Sequence, residues 1–154
     1  MQLTTETEEE TKTLAEGLAV ALEAGDIISL TGDLGAGKTR FVQGLADGLG
    51  IKKPVTSPTF TIIKQYDDGR LPLYHFDVYR LNGPSDLRAL GYEEYFFGDG
   101  ITVIEWGDKI NDLLPPDHLT IEFHRTTESV NRRTLVFTSR GQRSEQLKKV
   151  LEHE

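Results

Sequence analysis

The chain has no cysteine, which excludes disulfide frameworks, thiolate zinc sites and cysteine nucleophiles and is compatible with a reducing compartment. Basic residues are also scarce. Seventeen Lys and Arg stand against 25 Asp and Glu, a net charge of −8 over 154 residues. That balance excludes a broad electrostatic hold on nucleic acid or anionic lipid, so any RNA contact needs a local patch or a partner. No apolar run approaches a membrane span, and the start MQLTTETEEETK is acidic and polar, unlike a secretory leader. The expectation is a soluble, cytoplasmic protein without membrane association. With no internal repeat, low-complexity tract or long linker, residues 1–154 are read as one domain that buries roughly two-thirds of its unfolded surface.

Hydrophobic periodicity gives the coarse layout. Thr7 to Glu10 fits a capping box, and Leu14, Leu18 and Leu22 with Ala15 and Ala19 predict a helix from about Glu8 to Ala24. DIISLT reads as a buried strand. After a glycine-rich turn, Phe41, Val42, Leu45 and Leu49 form one helical face that stops at Gly50. PVTSPTF is proline-broken loop, TFTIIKQY and LPLYHFDVY are strands around the turn DDGR, and GPSDLRALGYEEYF is a helix capped by Ser85 or Asp86 and weakened by Gly91. GITVIEW reads as a short buried strand. HLTIEFH and RRTLVFTS alternate as an antiparallel pair before a last helix carrying Leu147, Val150 and Leu151. The expected class is α/β: a mostly parallel central sheet of the P-loop NTPase kind, helices on both faces and antiparallel strands added late.

The glycine-rich turn carries the chemistry. Gly32 to Thr39, GDLGAGKT, matches G-x-x-x-x-G-K-[ST] between a strand and a helix. Glycines let backbone N–H groups point inward as an anion nest, Lys38 suits β- and γ-phosphates, and the Thr39 hydroxyl suits Mg²⁺. The helix N-terminus adds partial positive charge. From average residue usage, a chain of this length shows the pattern by accident about once in two hundred. The expected binding run is Asp33, Leu34, Gly35, Ala36, Gly37, Lys38, Thr39 and Arg40, with Mg²⁺ and a triphosphate as cofactors.

A P-loop also needs an acid near the metal, at the end of a neighbouring apolar strand. Glu105 ends ITVIE, and Asp77 sits in YHFDVYR, where alternation puts His75, Asp77 and Tyr79 on one face and Phe76, Val78 and Arg80 on the other. Glu105 is the favoured metal ligand with Asp77 on a metal-bound or attacking water, and the reverse assignment stays open. His75 is read as a hydrogen-bonded structural histidine with no catalytic role.

Together, GDLGAGKT, SPTF (57–60), HFDVYR (75–80) and IEW (104–106) resemble the TsaE (YjeE) family of small bacterial P-loop ATPases. That family is needed to make threonylcarbamoyladenosine at position 37 of tRNAs that read codons beginning with A. The resemblance covers nearly the whole chain, with no departure in the four motifs. It implies Thr39 and Glu105 as metal ligands, SPTF as a γ-phosphate-sensing switch with Thr59 as its residue to test, and Asp77 in the hydrolysis apparatus. It further implies Glu8 and Thr11 near adenine, with Asp108 and Arg132 as additional contacts. ATP as the nucleotide, TsaB- and TsaD-like proteins as partners, and tRNA reached indirectly through that complex follow in the same way. Two other functions compete: a stand-alone P-loop kinase, whose only lid candidate is HRTTESVNRR, and a nucleotide-gated binding module without useful turnover.

Overall fold

A computed structural model describes residues 1–33, 35–58 and 60–152. Seven strands form one sheet, β1 Gln2–Thr5, β2 Ile27–Gly32, β3 Ile63–Tyr66, β4 Leu73–Asp77, β5 Ile101–Glu105, β6 His118–Arg125 and β7 Arg133–Arg140, in the order β1-β7-β6-β2-β5-β4-β3. The four central strands β6, β2, β5 and β4 are parallel. Antiparallel strands complete both edges, β3 on β4 at one side and β7 with β1 at the other. The class is therefore as expected, but the antiparallel additions are not confined to the late part of the chain. β1 was not legible at all: four residues at an edge, paired only with β7, carry no periodic signal of their own.

Strand alternation sends side chains to two cores. On one side, α1 (Glu8–Ala21), α2 (Lys38–Gly48) and α5 (Gln142–Glu152) cover Ile28, Leu30, Leu73, Ile101, Val103 and Ile121. On the other, α3 (Pro84–Arg88), α4 (Glu93–Phe96) and the 3₁₀ stretch Gly107–Leu113 cover Ile27, Tyr74, Phe76 and Ile104. No helix among the described residues is long and apolar enough to cross a membrane.

Element ends depart from the sequence reading for identifiable reasons. The capping box forms, with Thr7 Oγ1 accepting from the Glu10 amide at 3.1 Å and Glu10 Oε2 from the Thr7 amide at 3.2 Å. α1 then stops at Ala21 instead of Ala24, because distant arginines take its terminal carbonyls: Arg143 donates to Ala21 O at 2.6 Å, and Arg70 to Ala19 O at 2.8 Å and Leu22 O at 3.1 Å. β3 starts only at Ile63, since Ile62 has φ 70° and its amide closes a turn onto Pro58 O. The expected helix over 83–96 is two short ones, broken at Gly91 (φ 70°) and begun at Gly83 and Pro84 with no side-chain cap; Asp86 instead accepts from the Asn82 amide.

α1 and α2 make the tightest helix contact, and glycine permits it. A Cβ on Gly44 would lie 2.5 Å from Lys12 O and 2.7 Å from Ala15 Cβ. Gly44→Ala therefore opposes two effects: about 1 kcal/mol gained in helix propensity against about 1–3 kcal/mol of overpacking against backbone. Overpacking wins here because the nearest atom is a carbonyl oxygen that cannot rotate away. The variant is expected to melt below the wild type, by about 2–4 °C for each kcal/mol lost, as read by thermal denaturation.

Candidate functional site

The site lies at the carboxyl ends of the parallel strands, where α/β sheets bind ligands. β2 ends at Gly32, whose φ is 111° and whose missing Cβ would stand 2.1 Å from Phe123 O, so only glycine lets β2 leave the sheet beside β6. The chain turns and enters α2 at Lys38 through Gly37, which is left-handed at φ 97°. The first turn of α2 thus opens its unpaired N–H groups onto a cleft of about 470 Å³, a size that suits a small ligand.

Register brings the acids to that cleft. Asp77 and Glu105 are direct partners on the parallel strands β4 and β5, and both belong to the face that carries Leu73, Ile101 and Val103 towards α2. The Thr39 hydroxyl donates to both Glu105 carboxylate oxygens, at 3.0 and 3.1 Å. His75, completely buried, bonds the same carboxylate through Nε2 at 2.5 Å to Oε2. Asp77 accepts from Ser57 Oγ at 3.1 Å and from the Tyr79 amide at 3.0 Å. Two adjacent, nearly buried carboxylates are thereby held by separate donor sets.

Lys38 is 4% exposed, and its Nζ donates to Asp33 O at 2.6 Å and Gly32 O at 3.4 Å. Burial pushes its ammonium below the ordinary lysine value, against the pull of Glu105, Asp33, Asp108 and Asp77. The same nitrogen sits 4.1 Å from the centre of the Trp106 ring, which packs on Tyr79 at 4.9 Å. Trp106 itself has φ 65°, an uncommon state for a bulky residue, forced where β5 gives way to the 3₁₀ stretch. Gly107 must follow, since a Cβ there would meet Ser29 Oγ at 1.9 Å.

The sequence-derived residues separate into those that meet and those that do not. Gly35, Ala36, Gly37, Lys38, Thr39, Arg40, Glu8, Asp77 and Glu105 all line the cleft. Glu8 pairs with Arg40 at 3.3 Å on its rim. Thr11 is buried against Thr5, 2.7 Å between hydroxyls, and lines a small adjoining recess with Glu8 and Arg40. Asp33 turns its carboxylate away to the Arg125 amide. Asp108 is exposed and does not line the cleft. Arg132 is not brought there either, being held by Glu6 at 2.9 Å and Glu128 at 2.8 Å. Leu34 and Thr59 lie outside the described residues.

Arg133, the neighbour of Arg132, does reach the glycine turn. Its Nε donates to Ala36 O at 3.0 Å, and it lines the recess with Thr11 and Asn131. The signal was present: in RRTLVFTS the inward residues are Leu135 and Phe137, so period-two alternation puts Arg133 on their face. Ser57, in the SPTF motif, bonds Asp77, a pairing between a loop and a strand 20 residues apart that leaves no local sequence signal.

The family description "Threonylcarbamoyl adenosine biosynthesis protein TsaE" matches residues 5–135, a span that contains β2, the glycine turn, both acids and most of the sheet. The chain belongs to the TsaE family. A Bacillus subtilis TsaE described as a tRNA threonylcarbamoyladenosine biosynthesis protein is 49% identical over 139 residues, covering 90% of this chain and 85% of its own. A Treponema pallidum TsaE of the same description is 51% identical over 100 residues, covering 65% and 73%. The crystal structure of Bacillus subtilis YdiB superimposes with a TM-score of 0.86 at 43% identity, covering 99% of this chain and 94% of that one. The TsaE match ends inside β7 and omits α5.

Trp106 is the only tryptophan, so its emission reports this site alone. Lys38→Ala removes the cation from the indole and is expected to shift the intrinsic emission spectrum without any ligand. Lys109→Ala removes a cation placed on the Tyr79 ring instead, 4.7 Å away, and is expected to shift it less. Steady-state fluorescence of the two variants beside the wild type checks this.

Proposed function

We propose that this TsaE-family chain binds Mg-ATP and hydrolyses it as the ATPase of the tRNA threonylcarbamoyladenosine machinery, driving cycles of a complex of TsaB- and TsaD-like proteins. The observation that carries the reading is the bond from the P-loop Thr39 hydroxyl to the Glu105 carboxylate, two residues 66 positions apart. Relatives described as tRNA threonylcarbamoyladenosine biosynthesis proteins support the pathway.

The residues present fit magnesium. Thr39 and Glu105 offer hard oxygen donors side by side, and Mg²⁺ is bound by one or two such groups plus substrate phosphates and water. A protein cage is not required, and none of three or more His, Cys, Asp or Glu exists among the described residues. The ion would supply charge neutralisation on the β- and γ-phosphate oxygens.

The chain's own groups do the rest. The N–H groups at the start of α2 and the Lys38 ammonium bind the β- and γ-phosphates, for which Lys38 exchanges its carbonyl partners in the turn. Asp77, fixed by Ser57 and the Tyr79 amide, orients a water for in-line attack on the γ-phosphorus. The bond from that phosphorus to the bridging oxygen breaks, giving ADP and phosphate. Trp106 follows Glu105 directly and shares its ring with the Lys38 cation, so its emission changes when Mg-ATP draws Lys38 away.

The test is steady-state phosphate release from the protein alone, with a TsaB–TsaD complex, and with that complex plus tRNA, using Lys38→Ala as background. Turnover alone is expected at about 10⁻² s⁻¹ or below, as in P-loop proteins that await a group supplied in trans. The complex is expected to raise it or make it respond to tRNA. Glu105→Ala is expected to abolish magnesium-dependent turnover more completely than Asp77→Asn. Fast turnover that neither addition alters overturns the reading in favour of a stand-alone kinase or hydrolase.

A further inference from the structure

We infer that His75 is a positioning residue for Glu105: its Nε2–H pins one carboxylate oxygen so that the other is presented, with Thr39, to the cleft. The inference rests on the reading of Glu105 as the acid of the magnesium site.

Three observations carry it. First, the bond is short and fully enclosed: His75 is 0% exposed, Glu105 is 4% exposed, and Nε2 lies 2.5 Å from Oε2. Second, the ring has no other polar partner. His75 Nδ1 is buried with no hydrogen-bond partner among the described residues. A buried imidazole with Nδ1 unpaired costs the fold more than an apolar side chain of similar size. What His75 contributes is therefore the bond to Glu105. Third, the ladder sets a problem that this bond answers. Glu105 stands directly opposite Asp77, on strands spaced about 4.8 Å apart, with both side chains on the same face. His75 lies two residues back on β4, opposite Val103, so its bond draws Glu105 back along the strand and away from the like charge of Asp77.

The consequence is an oriented carboxylate. Oε2 receives both His75 and Thr39, while Oε1 has only Thr39 at 3.0 Å, which leaves its other lone pair for an ion in the cleft. Partners that orient a ligating side chain typically contribute about 10–100-fold in metal affinity.

The experiment measures ATP affinity by calorimetry with Mg²⁺ and with EDTA, for the wild type, His75→Leu, His75→Gln and His75→Asn. His75→Leu is expected to lose about 10–100-fold of the Mg²⁺-dependent gain in affinity, with metal-free ATP binding unchanged. His75→Gln places an amide N–H where Nε2–H stood and is expected to restore the gain, whereas the shorter Asn does not. In a Glu105→Gln background, His75→Leu is expected to add nothing, since the two act as one unit. If His75→Leu fails to fold, Gln against Asn decides the matter, and equal behaviour of those two overturns the inference. A His75→Leu that keeps the full Mg²⁺ gain also overturns it while leaving the proposed function intact. A wild type without any Mg²⁺ gain overturns the proposed function first, and this inference with it.

Discussion

The parallel register of β2, β5 and β4 is the constraint on which the site depends. Leu30 on β2 pairs with Glu105 on β5, and Glu105 pairs with Asp77 on β4, so the ends of three strands bring the glycine turn and two acids to one level. A slip of one residue would send Glu105 to the opposite core and exchange it for Ile104, because strand side chains alternate with period two. The apolar residues of the same strands enforce the register. Leu30, Leu73, Ile101 and Val103 are each fully buried, and moving them to the other face would disrupt both cores at once. The chemistry is thus held by packing that lies one turn of the alternation below it.

That placement concentrates cost. Of the six Asp, Glu, Lys and His side chains buried among the described residues, four (Lys38, His75, Asp77 and Glu105) meet at this cleft. Each must be compensated to stay in place, and the partners come from five separate places: the glycine turn, α2, β4, β5 and the loop before β3. Trp106 in a left-handed conformation adds about 1–3 kcal/mol of backbone cost at the same point. Nothing in the folding of the two cores requires these features. Their clustering marks the cleft as the part of the molecule organised around a ligand, a stronger argument than the glycine pattern by itself.

What the sequence made legible follows the range of each signal. Elements with their own periodicity, such as α2 with Phe41, Val42 and Leu45, were read closely, and strand alternation put His75 and Asp77 towards α2, although β4 ends at Asp77 and the expected alternation through Tyr79 and Arg80 gives way to a turn. Features decided by distant parts of the chain were misread or missed. The end of α1 is set by Arg70 and Arg143, residues 51 and 122 positions from the carbonyls they bind. β1 exists only because β7 accepts it. Arg133 beside the glycine turn follows from counting inward residues along β7, whereas Arg132, implied by the family resemblance, is bonded to Glu6.

The supply of positive charge around the cleft bears on how the site is used. Arg40 is the one arginine lining it among the described residues, and its guanidinium is engaged by Glu8 and Gln43. Arg80 stacks on Phe60, 4.3 Å from its ring centre. Arg133 is fastened to Ala36 O and so supports the turn from its flank, and the Arg125 side chain lies 3.8 Å from where a Gly35 Cβ would be. On the proposed reading, Lys38 is then the cation best placed for the γ-phosphate. On the same reading, a site that holds its lysine, hydroxyl and two acids while Arg40 and Arg133 are bonded to other groups has the binding half of a phosphoryl-transfer centre. The charge that stabilises the transition state, worth about 10³–10⁵ in turnover, is the part most economically brought by another surface. This supports the reading of a protein whose turnover is governed by assembly: a −8 chain has little means of holding tRNA itself, and coupling hydrolysis to a partner's arrival prevents ATP from being spent without one.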